Sequence, residues 1–135
     1  MENRRFDELS IGENAELERL CTSDDLLVFA NVSGNHNPIH RISDEETEGE
    51  HPEAIMQGMF VGSLISAVIG NVLPGAGTLL HSQPFNFHNR ARVGDELLSR
   101  VTVTDKDETN FIVTLATEVT RPKDGALILS GVAEV

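Results

Sequence analysis

The octapeptide SGNHNPIH, Ser33 to His40, gathers two histidines, two asparagines and a proline in one polar stretch. Imidazole is the side chain that changes charge nearest neutral pH, so His40 or His36 can serve as a base. Asn35 and Asn37 can orient water through their amides, yet an amide cannot cycle a proton as a carboxylate does. The same asparagines also suit plain turn positions, their side chains bonded to nearby backbone, and both readings stand here. His36 and His40 have the i, i+4 spacing of a helical zinc pair, but Pro38 lies between them and no HExxH glutamate follows. Metal chemistry is not expected.

A second cluster, HNRAR, places His88, Arg90 and Arg92 two apart, hence on one side if that segment is extended. Arginine forks suit phosphate groups; the competing reading is an exposed face balanced by Asp95 and Glu96. Cys21 is the one cysteine and has no metal knuckle around it, which points to a half-buried structural thiol. His51 and His81 belong to no constellation and read as surface or edge residues. Phosphate-cradling loops and nucleophile elbows are missing from the sequence.

The elements that must hold these residues are legible in part. Ala15 to Leu20 suits a short strand. CTSDDLLVFANVSG has helix grammar, with Thr22 as cap, Asp25 three residues on and Gly34 closing it. Leu26, Leu27, Phe29, Ala30 and Val32 are its expected buried stripe. The acidic RISDEETEGEHPEA then reads as a surface loop with a short helical piece. QGMFVGSLISAVIGNVLPG is apolar nearly all the way round, which predicts a helix buried on all sides. Thr78–Phe87, Glu96–Thr104, Phe111–Thr120 and Ala126–Val135 carry β-branched residues with period-two stretches, and Asp124-Gly125 marks a hairpin. An antiparallel sheet curling around a single central helix satisfies this α+β layout.

The 135 residues are one domain's worth, and no repeat or linker divides residues 1–135. A net charge of -12 argues against nucleic acid or an anionic membrane as partner. With neither Trp nor Tyr there is little for base stacking to use. The N-terminal MENRRFDEL lacks an apolar signal core, and the apolar run Met59 to Ile69 is too short to span a bilayer. These features predict a cytoplasmic protein.

The ordered set of helix, SGxxNPIH, loop, xGM-initiated buried helix, LPGxGT and VGDE turn resembles the MaoC-like hydratases, over roughly residues 6 to 135. Those are hot-dog-fold (R)-specific enoyl-CoA hydratases. The opening MENRRFDEL and the ending SGVAEV also resemble a hydratase module fused ahead of a phosphate acetyltransferase. That likeness implies fusion or association with an acyltransferase.

The resemblance implies a homodimer or higher homo-oligomer that binds a trans-2-enoyl-CoA thioester and hydrates it to an (R)-3-hydroxyacyl-CoA. Coenzyme A belongs to the substrate, and no separate cofactor is expected. His40 matches the family's catalytic histidine. Asn35 stands where the family carries its catalytic aspartate. Gly58 matches the glycine whose N–H polarises the thioester carbonyl, and Gln57 stands where relatives commonly have histidine. Ser66 matches a serine that supports the site from within the core, and Asn37 and Pro38 match loop-shaping residues. On this view His88, Arg90 and Arg92 are candidates for holding the coenzyme A phosphates. Two readings are open: a working hydratase, with His36 as a candidate substitute for the missing carboxylate, or a degenerate acyl-CoA-binding module. A hot-dog thioesterase would want an acidic residue on or near the central helix, and Met56 to Gly70 contains none.

Overall fold

The computed structural model of the chain describes residues 4–40 and 54–135; the expected acidic surface loop and His51 lie outside the described residues. Five strands form one antiparallel sheet, β1 (Asn14–Leu20), β2 (Phe85–Phe87), β3 (Glu96–Asp107), β4 (Ile112–Arg121) and β5 (Ala126–Glu134), in the order β1-β3-β4-β5-β2. Two α-helices accompany it, α1 (Ser23–Ser33) and α2 (Gly58–Asn71), and α2 packs on the sheet against β1, β3 and β4. No helix among the described residues is long and apolar enough to cross a membrane.

Strict alternation builds the centre of the sheet. Leu97, Ser99, Val101 and Val103 of β3 and Val113, Leu115, Thr117 and Val119 of β4 point inward and are buried. They meet Phe60, Val61, Leu64, Ile65, Val68 and Ile69 of α2. Each of the apolar side chains contributes about 1.5–3 kcal/mol of burial, so this face holds the fold together.

The ladder between β4 and β5 slips by one residue. Val119 pairs with Leu129 but Thr120 pairs with Leu127, so Ile128 is an extra residue, a β-bulge. The bulge turns Ile128 inward beside Leu129, and both side chains are buried.

Helix α1 begins with a reciprocal cap. Thr22 Oγ1 accepts the Asp25 N–H at 3.2 Å and Asp25 Oδ2 accepts the Thr22 N–H at 2.9 Å. It ends at Gly34, whose φ of 78° is the left-handed conformation that glycine adopts without steric cost.

Four expectations need correction. The α1 stripe is narrower: Leu26 is buried and Phe29 meets Phe60 edge-on at 5.9 Å, but Leu27 and Val32 are exposed. Helix α2 is not covered all round, because Met59, Ser63 and Ser66 lie on an exposed side. The strand expected over Thr78–Phe87 shrinks to Phe85–Phe87 plus an isolated bridge from Ser82 to Glu134. Pro84, which has no N–H to donate, separates the two. Finally, Cys21 is fully buried rather than half-buried, and burial pushes its thiol up to about 11, with Asp95 and Asp25 adding to the effect.

Candidate active site

The polar loop begins where Gly34 turns the chain out of α1. Ser33 Oγ accepts the Asn35 N–H at 3.1 Å, Asn35 Oδ1 accepts the Asn37 N–H at 3.2 Å, and Asn37 Oδ1 accepts the Ile39 N–H at 3.2 Å. A short 3₁₀ turn, Pro38–His40, completes the loop. The two asparagines thus perform turn work, bonding backbone two residues ahead.

This scaffold delivers His40 to a defined partner. Its Nδ1 lies 2.7 Å from the carbonyl oxygen of Ile55. A carbonyl can only accept, so Nδ1 carries the hydrogen and the neutral ring keeps its lone pair on Nε2. Ile55 is held in turn, because the 54–56 segment runs antiparallel to residues 91–93. Met56 N–H donates to Ala91 O at 2.8 Å and Val93 N–H donates to Ala54 O at 3.0 Å.

His40, Gly58, Val61, Phe87, Arg90 and the bulged Ile128 are among the residues lining one cavity of about 180 Å³. Gly58 opens α2, and a Cβ there would lie 3.1 Å from the Phe87 ring, so glycine lets the aromatic sit against the helix start. The N-cap Gln57 gives the helix no side-chain cap. Its Nε2 instead donates to Leu26 O of α1 at 3.0 Å, so its side chain leaves the first-turn N–H groups uncapped. Gly58 at the helix start and His40 share one small cavity, an arrangement that can generate a nucleophile and stabilise an oxyanion.

Residues 9–122 match the family model described as MaoC like domain. The chain belongs to the MaoC-like family. This MaoC-like chain is 32% identical over 130 residues to the (R)-specific enoyl-CoA hydratase of Rhodospirillum rubrum, covering 96% of the chain and 89% of that protein. It is 34% identical over 100 residues to a 3-hydroxybutyryl-CoA dehydratase of Methylorubrum extorquens, which is 74% of the chain and 64% of the relative's length. Among solved structures, the unliganded R-hydratase PhaJ1 from Pseudomonas aeruginosa superposes with a TM-score of 0.88 at 36% identity, covering 98% of this chain and 84% of that one. The (R)-hydratase from A. caviae gives 0.85 at 32% identity, covering 93% and 95%. The hot-dog fold is thereby shown.

The MaoC-like frame brings some expected residues together and separates others. His40, Gly58 and Arg90 share the cavity, while Asn35 supports the loop from an exposed position and is not among its lining residues. Gln57 is 1% exposed, and its Oε1 has no hydrogen-bond partner among the described residues. Ser66 is not in the core. It lines a second cavity of about 380 Å³ on the exposed side of α2, with Met59, Ser63, Phe29 and Phe85.

Nor does HNRAR form a stripe by strand geometry, since the ladder stops at Phe87. His88 Nε2 lies 2.7 Å from Ser130 Oγ, Arg90 reaches the cavity, and Arg92 forms a backbone bridge with Ile55. Arg121 braces this segment by donating to Arg90 O at 3.1 Å and to Asp95 Oδ2 at 2.9 Å. Hydrogen bonds to Asp124 and Asp95 hold its guanidinium above its ordinary pKa.

Sequence reading missed Ile55, Phe87 and Ile128 as site residues. The first acts through its carbonyl, which no side chain announces. The third reaches the cavity through a bulge that strict period-two reading cannot place.

Proposed function

We propose that this chain adds water across the double bond of a trans-2-enoyl-CoA to give an (R)-3-hydroxyacyl-CoA, and catalyses the reverse dehydration. The observation that carries the reading is the His40–Ile55 hydrogen bond, which leaves the lone pair on Nε2 of a ring that lines the same cavity as Gly58 at the start of α2. Nε2 takes a proton from water as the hydroxyl bonds to C3. The π electrons move onto the thioester, and its enolate oxygen is held by N–H groups at the Gly58 helix start. The protonated ring then returns its proton to C2, which completes addition of one water with nothing left over. His40 serves both steps because no carboxylate is among the described residues lining its cavity. Arg90 at the cavity is the candidate contact for coenzyme A phosphates.

A second copy of the chain is the partner this reading requires. Among the described residues strand β2 is an unpaired sheet edge, and Met59 and Leu80 lie exposed near it around the second cavity.

The alternative, an acyl-CoA-binding module without turnover, has one observation in its favour: no carboxylate is among the described residues lining the His40 cavity. Mixing purified protein with crotonyl-CoA separates the two. A hydratase bleaches the enoyl-thioester absorbance and yields the (R)-3-hydroxy product; a binding module shows saturable binding with the absorbance intact.

A further inference from the structure

The carbonyl that takes the His40 Nδ1 hydrogen belongs to Ile55, so the ring is placed only as well as residues 54–56 are. Those residues are held by residues 91–93. Met56 N–H donates to Ala91 O at 2.8 Å, Val93 N–H donates to Ala54 O at 3.0 Å, and Ile55 forms an isolated bridge with Arg92. Residues 91–93 lie between β2 and β3 and belong to neither strand, so something other than the ladder must fix them.

Two side chains do so. Asp95 Oδ2 accepts the Arg92 N–H at 2.9 Å, which closes a turn whose Asp95 N–H returns to Arg92 O at 3.1 Å. Arg121, the last residue of β4, donates from Nη1 to Arg90 O at 3.1 Å and to the same Asp95 Oδ2 at 2.9 Å. Its outer edge is taken by Asp124, through Nε at 3.1 Å and Nη2 at 2.9 Å. One carboxylate thus aims the fork, and its inner nitrogen pins both ends of residues 90–95. The Arg121 and Asp95 side chains are 19% and 21% exposed, so the ion pair is partly screened; what the planar guanidinium supplies is direction. Arg121 is not among the residues lining the His40 cavity.

We propose that Arg121 is a positioning residue for His40. Through Arg90 O and Asp95 it fixes residues 90–95, these fix Ile55, and the Ile55 carbonyl holds the imidazole in its Nδ1–H tautomer. The hydrogen bond at one ring nitrogen decides where the other keeps its lone pair, so a drifting carbonyl frees the ring to populate both tautomers. The catalytic weight of this arrangement rests on the enoyl-CoA hydratase reading; the placement of the ring does not.

Imidazole nitrogen NMR at mildly alkaline pH, where the ring is neutral, reads the tautomer directly, with the His40 signals assigned by their loss in His40→Ala. The parent shows the Nδ1–H form. Arg121→Met and Arg121→Lys both show a mixture with the Nε2–H form, because lysine keeps the charge but not the planar fork. Asp95→Asn, which retains an acceptor for the Arg92 N–H, shifts the same way by less. With crotonyl-CoA, kcat falls at least about tenfold in the Arg121 variants, as expected for a misplaced reacting group. Arg100→Met is the control: it breaks ion pairs to Glu16 and Glu118 on the outer face of the sheet and leaves both tautomer and kcat parental. Folded Arg121 variants with the parental tautomer overturn the proposal. So does a raised KM with unchanged kcat that lysine restores, since Arg121 would then be a coenzyme contact. A parent that hydrates nothing, yet loses its Nδ1–H form on Arg121 substitution, sinks the hydratase reading and leaves the positioning role standing.

Discussion

The imidazole of His40 donates through Nδ1 to the carbonyl oxygen of Ile55, 2.7 Å away and 15 residues along the chain. The bond fixes both the tautomer and the ring's orientation, so the basic nitrogen is set before substrate arrives. His40→Ala should therefore lower hydration of crotonyl-CoA by on the order of 100- to 10,000-fold, the usual weight of an acid–base group. Its melting temperature should stay near the parent's, since one part-buried hydrogen bond is worth about 0.5–1.5 kcal/mol. A folded variant keeping more than about a tenth of parental activity removes His40 from the chemistry.

Asn35 accepts the Asn37 N–H through an oxygen that aspartate also possesses, so Asn35→Asp keeps the turn. Hydration should rise at least about tenfold, a barrier lowered by about 1.4 kcal/mol. The rate should also gain an acidic limb, falling as the new carboxylate is protonated. An unchanged rate and profile in a fast parent would mean that Asn35 does not stand in for a proton carrier.

Gln57 is buried with Oε1 unpaired among the described residues, while its Nε2 binds Leu26 O. The Leu26 carbonyl lies inside α1 and keeps its helical partner without Gln57. Gln57→Leu, which fills the same space and deletes the unpaired oxygen, should stay within about 1 kcal/mol of the parent. Gln57→Ala leaves a void and should cost about 2–4 kcal/mol. Chemical denaturation of the two variants checks this, and equal losses would show that the hydrogen bond, not the filled volume, is what matters.

Cys21 is held protonated by burial, its thiol pushed up from 9.0 to about 11. Between those values the unfolded chain has lost the thiol proton and the folded chain keeps it. Stability therefore falls as pH rises through this window, in total by about 2–3 kcal/mol at 1.36 kcal/mol per unit. Cys21→Ala should flatten this part of the stability–pH curve. A thiol reagent at pH 8 should also leave the native protein unlabelled; rapid labelling before unfolding would contradict the burial.

The unpaired β2 edge and the uncovered side of α2 call for a second copy. Sedimentation equilibrium at micromolar concentration should show a dimer or larger species, and a clean 14.7 kDa monomer would count against an assembled pocket.

What the sequence disclosed depends on how local each cause is. Strands β3 to β5 were readable because every second residue from Leu97 to Val103 and from Val113 to Val119 meets the same core. The Thr22–Asp25 cap and the Gly34 stop were readable for the same reason, since their partners lie within a turn. Burial of α1 was overestimated because apolar content cannot say which side has a neighbour: Val32 is 80% exposed, yet Leu26 is 5% exposed. His40 and Gly58 could be nominated from the motif order. That they share a cavity with Ile128 required knowledge of a register shift set across two strands. Ser66 and His40 fall in different cavities, a separation that no spacing along the chain encodes.

The bulge at Ile128 also ties the wall of the catalytic cavity to a count of residues. One residue fewer in β5 before Leu129 would restore an unbroken ladder with β4 and leave the cavity without that wall. His88, whose N–H donates to Ile128 O at 2.8 Å, would lose that hydrogen bond in the same event. Single-residue deletions on this side of the Asp124-Gly125 turn are thus expected to damage the site while sparing the sheet. Insertions at the turn itself precede the bulge and leave the count from Ile128 onward unaltered, so length can change at the turn but not along the strand after it.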